Sequence, residues 1–70
     1  MTQVHIRING QDEILSVATL AALLEKKAVD TAQRGIAVAL NGEVVPRAAW
    51  KETPLHAGDH VEIVRARQGG

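Results

Sequence analysis

Apolar and polar residues alternate from Gln3 to Asn9, with Val4, Ile6 and Ile8 on one side and Gln3, His5 and Arg7 on the other. Period two marks a half-buried strand. Asn9-Gly10 tolerates positive φ and predicts a tight hairpin turn, after which a second strand over about 12–16 returns antiparallel through Ile14 and Leu15. The period then changes to that of a helix. Leu20, Leu23 and Leu24 form one apolar stripe behind a Thr19 cap, while Glu25, Lys26 and Lys27 fall toward solvent. The helix is expected to stop by Ala28, with Val29 tucked beneath it, ahead of a polar connection through Gly35.

Alternation resumes at Ile36, Val38 and Leu40, interleaved with Ala37 and Ala39, so a third strand buries its large residues and exposes small ones. Asn41-Gly42 repeats the hairpin signal and leads into a short fourth strand, Glu43 to Val45. Pro46 ends it, because proline cannot donate to a ladder. A single helical turn over Arg47-Ala48-Ala49-Trp50 is expected to lay the indole over one end of the core, with Leu55 buried nearby. Ala57-Gly58-Asp59 makes a turn, and His60 to Arg65 forms the last strand with Val61 and Ile63 pointing in. The order β-β-α-β-β-β predicts an α+β domain with a sheet of about five strands and one main helix on one face.

Seventy residues lie near the lower size limit for a self-sufficient core, and Trp50 is the only aromatic residue, so Val, Ile, Leu and Ala must fill the interior. Eight Lys and Arg balance eight Asp and Glu. Lacking both net positive charge and rings for base stacking, the domain is a poor nucleic-acid binder. Without cysteine there is no thiol nucleophile, thiolate metal site or disulfide. No segment resembles a signal peptide and no apolar run approaches the ~20 residues that span a bilayer. The expectation is a cytoplasmic protein, monomeric when free, with no membrane association.

The histidines do not make a site. His5 lies on the polar side of the first strand, and His56 and His60 straddle Gly58 in a turn, so helical ligand spacing does not apply. They are expected to be ordinary surface residues, with no metal and no bound cofactor. No phosphate-loop glycine spacing occurs, and Asp12-Glu13, Asp59 and Glu62 fit solvated charges better than a paired acid and base. What remains is Gly70. Its α-carboxylate, with a pKa of about 3.5, is ionised at neutral pH and reacts with nucleophiles only after activation, for example as an acyl-adenylate. Gly69-Gly70 has no side chains to block a narrow channel, and Arg67 to Gly70 reach roughly 13 Å when extended.

The run Val38-Ala39-Leu40-Asn41-Gly42-Glu43-Val44-Val45-Pro46-Arg47-Ala48-Ala49-Trp50, then Gly58-Asp59-His60-Val61-Glu62-Ile63 and the final Gly69-Gly70, resembles the ThiS family, the sulfur carriers of thiamine biosynthesis. The resemblance spans essentially the whole chain. It implies a ubiquitin-like β-grasp over residues 1–66, a mixed sheet whose last strand lies between the two hairpins and parallel to the first, followed by a flexible tail over 67–70. It also implies that an E1-like (ThiF-like) enzyme uses ATP to adenylate Gly70. Sulfur from a persulfide donor then makes a thiocarboxylate, which feeds a thiazole synthase (ThiG-like). The chain would be a cosubstrate and not an enzyme.

Within that picture Gly69, Gln68, Arg67 and Arg65 enter or flank the partner's channel, with the tail disordered beyond about Arg67 in the free protein. Alternation places Ala37, Ala39, Val64 and Val45 on the sheet face opposite the helix as an apolar docking patch. Two other readings are compatible with the fold. One is the small subunit of molybdopterin synthase, a sulfur carrier for the molybdenum cofactor, and the other a ubiquitin-like modifier or interaction domain.

Overall fold

A computed structural model describes residues 3–29 and 35–65. Strands β1 (Val4–Ile8) and β2 (Gln11–Leu15) precede helix α1 (Leu20–Lys26). Strands β3 (Ile36–Leu40) and β4 (Glu43–Val45), a 3-10 helix (Arg47–Glu52) and β5 (His60–Arg65) follow. The strands form one sheet in the order β2-β1-β5-β3-β4. Only β1 and β5 run parallel; the other neighbours are antiparallel. This is the β-grasp arrangement, with the last strand at the centre.

Local chemistry sets each piece. Asn9 and Gly10 have φ of 49° and 82°, and Asn41 and Gly42 have 51° and 87°, the two positive values of the turn whose twist matches a two-residue hairpin. Helix α1 begins at Thr19, whose Oγ1 accepts from the Ala22 N–H at 3.2 Å. It ends in a Schellman motif. The Val29 N–H donates to the Leu24 carbonyl at 2.9 Å and the Ala28 N–H to Glu25 at 3.0 Å, which forces Ala28 to a φ of 60°.

The core lies between α1 and the inner sheet face. Ile6, Leu20, Leu23 and Leu24 are fully buried, and Val38 and Val61 nearly so. Trp50 closes one end; its Nε1–H donates to the Val45 carbonyl at 2.9 Å, and the Arg47 guanidinium lies 4.9 Å from the ring centroid. Val29 and Leu55 are buried as expected. No buried side-chain nitrogen or oxygen among the described residues lacks a partner. Ion pairs stay at the surface. Lys27 Nζ meets the Glu13 carboxylate at 2.7 Å near the helix C-terminus, where a cation also suits the dipole. Across the first hairpin Arg7 Nε donates to Asp12 Oδ1 at 3.1 Å, and that bond and its charge hold the Asp12 carboxyl below its ordinary value.

At about 0.05–0.15 kcal/mol per residue a chain of this size has about 4–10 kcal/mol of stability, so small terms are measurable. An L-residue at left-handed φ costs about 1–2 kcal/mol that glycine does not. Ala28→Gly is therefore expected to raise stability by about 1 kcal/mol, seen as a rise of several degrees in Tm. Because the folded pKa of Asp12 lies below the unfolded one, its contribution is present above about pH 4 and is lost as pH falls through the folded value. The denaturation midpoints of wild type and Asp12→Asn should differ at pH 7, and that difference should shrink as pH falls through the folded value of Asp12.

Candidate functional site

Gly70, Gly69, Gln68 and Arg67 lie outside the described residues, as does the expected boundary between domain and tail. Arg65, the last residue of β5, is described and exposed. It pairs with Ile36 across β3 and, having the parity of Val61 and Ile63, belongs to the helix side of the sheet. There it borders a shallow groove of about 350 Å³ with Ile8, Asn9, Lys27, Val29 and Ile63. The described end of the central strand thus lies beside one cation already paired with Glu13, Lys27, and carries a second, Arg65, that makes no ion pair among the described residues.

On the opposite face Ala37 stands directly across from Val64, and Ala39 from Val44. Val64 is 59% exposed and Val44 75%. Three of the expected patch residues, Ala37, Ala39 and Val64, therefore share the uncovered face, next to the end of β5. Val45 does not. It pairs with Val38, which is 1% exposed, so its side chain turns inward and packs against the core. Val44 takes its place. The signal was available: counting outward from Asn41-Gly42, a two-residue turn pairs 40 with 43, 39 with 44 and 38 with 45. Ile14, 64% exposed, lies on the same outer face but opposite His5 on the far side of β1.

The histidines are on the surface. His5 Nε2 is 3.7 Å from Asp12 Oδ1, and His60 borders the same shallow depression with Arg7 and Gly58. His56 Nδ1 is 3.9 Å from Asp59 Oδ2. Among the described residues no group of three or more His, Cys, Asp or Glu is placed to hold a metal ion, and no helix is long and apolar enough to cross a membrane.

Comparison with known proteins adds identity to this geometry. The ThiS family model matches residues 4–70. The chain is 38% identical to the sulfur carrier protein ThiS of Thermus thermophilus over 63 residues, covering 90% of this chain and 95% of that one. It is also 38% identical over 64 residues to a thiazole synthase of Paramagnetospirillum magneticum, of which it spans only 19%. The crystal structure of a thiamine biosynthesis protein (ThiS) from Geobacter metallireducens superposes with a TM-score of 0.78 at 31% identity, covering 96% of this chain and all of the other. A complex of two molybdopterin-converting factor subunits from Helicobacter pylori shares the fold alone, at 22% identity and a TM-score of 0.55. With a match that runs from β1 through Gly70, the chain belongs to the ThiS family.

Proposed function

We propose that this protein is a sulfur carrier of thiamine biosynthesis and that Gly70 is the atom-bearing end. The observation that carries the reading is the family match, unbroken from Val4 to the terminal Gly69-Gly70. One carboxylate oxygen of Gly70 attacks the α-phosphorus of ATP, pyrophosphate leaves, and the carbonyl becomes a mixed anhydride. A sulfur nucleophile then adds to that carbon and AMP departs. Sulfide gives the thiocarboxylate directly; a persulfide gives an acyl disulfide, which a thiol must cleave, leaving the thiocarboxylate and a disulfide. The adenylating E1-like enzyme and the donor supply this chemistry, and the present chain supplies the acyl group as a cosubstrate.

The acceptor is a thiazole synthase. Support comes from the Paramagnetospirillum relative, a longer protein called thiazole synthase that contains a stretch 38% identical to this chain. Docking of both partners in turn uses the outer apolar patch of Ala37, Ala39, Val44 and Val64, which ends where β5 ends. Burying about 25 cal/mol per Å² of apolar surface there favours association, while Arg65 and Arg67 pair with acids at the mouth of the partner's channel.

Incubation with ATP, the adenylating enzyme and sulfide should exchange one terminal oxygen for sulfur in the intact mass. A variant with one residue added after Gly70 should remain unmodified; equal modification of both would refute the reading. Val44→Asp and Val64→Asp should fold normally yet weaken partner binding about tenfold, since an unpaired charge must be desolvated in the contact. Val45→Asp should instead lower Tm sharply. Unchanged titration curves for the first two would remove the patch.

A further inference from the structure

β1 accompanies β5 for only two pairs, Arg7↔His60 and Ile8↔Val61, because the chain reverses at Asn9-Gly10. β5 continues to Arg65. The Asn9 N–H donates to the Val61 carbonyl at 2.9 Å, and in a regular parallel ladder the Ile63 N–H would next donate to the Asn9 carbonyl. Instead it donates to the side-chain Oδ1 of Asn9, at 2.8 Å. Asn9 Nδ2 in turn donates to the Ile63 carbonyl at 3.4 Å. The carboxamide supplies Ile63 with the acceptor and the donor that the carbonyl of residue 9 and the N–H of residue 11 would offer if β1 continued.

We infer that Asn9 is a positioning residue for the C-terminal segment: its side chain extends the missing strand to Ile63 and holds the root of that segment in register on its β1 side. The other side is held by β3, which pairs as far as Arg65. The role rests on the carrier reading above. An adenylating enzyme that docks on the sheet and draws in Gly70 meets both through β5, so the register of that strand is part of recognition. Asparagine suits the position twice, since it accepts a φ of 49° with little strain and carries a peptide-like amide.

Asn9→Gly keeps the turn and removes only the carboxamide. Asn41→Gly is its matched control. Asn41 also has positive φ, and its Oδ1 accepts from the His60 N–H at 2.9 Å, at the other end of β5. In steady-state adenylation, Asn9→Gly should raise the KM for the carrier about fivefold, the value of one net hydrogen bond, with kcat within about twofold. Amide exchange at Ile63 should accelerate. Asn41→Gly should leave the KM within about twofold of wild type, and Asn9→Asp, which keeps the acceptor, should recover most of the loss. A wild-type KM for Asn9→Gly, or equal KM increases in both glycine variants, overturns the role. Wild type that is not adenylated overturns the carrier reading and this role with it; Ile63 exchange, measured on the chain alone, distinguishes that failure from an absent clamp.

Discussion

Strand β5 is paired on both sides, and that constraint organises the molecule. A central strand needs partners for its N–H and C=O groups along both edges, and here they come from two hairpins that are remote in sequence. Each hairpin turns on Asn-Gly, and each turn asparagine also bonds to β5, Asn41 at His60 and Asn9 at Ile63. The same two residues thus set hairpin twist and secure the strand between the hairpins. With β5 fixed, its alternation sends Val61 into the core and Val64 to the uncovered face.

The interior is economical. One seven-residue helix covers one sheet face with three leucines, and no polar side chain is buried among the described residues. The ends of this short helix are secured by Thr19 and by the Schellman turn, at the cost of strain at Ala28. Propensity alone does not hold so short a helix; tertiary contact through Leu20, Leu23 and Leu24 does.

Much of this is legible in the sequence. Alternation located Val4, Ile6, Ile8, Val38 and Val61, the leucine spacing located α1, and Asn-Gly located both hairpins. Val45 departs from the expected face because the two-residue turn pairs it with Val38, so the outward positions change from odd in β3 to even in β4. The outward side of Ile14 follows from the same count, since a two-residue turn at Asn9-Gly10 pairs it with His5. The asparagine contacts to β5 are not legible, since they depend on which strands become neighbours, and local pattern does not encode that. The 3-10 helix ran two residues beyond the expected single turn, through Lys51 and Glu52. Gly69-Gly70 stands out in the sequence for a different reason: the side chains present no convergent set of reactive groups, and a Gly-Gly pair is conspicuous by composition.

The lone indole gives the molecule a built-in optical reporter. With no Tyr or Phe in the chain, absorbance and emission near 280–350 nm come from Trp50 alone. It is 3% exposed, beneath the Arg47 guanidinium and bordered by Ala21 and Glu25 of the helix layer, across the sheet from Val44 and Val64. Its emission follows the integrity of the core while remaining insulated from whatever covers the outer face. Folding and association can thus be followed separately in one sample, the first by the native fluorophore and the second by a signal on the partner.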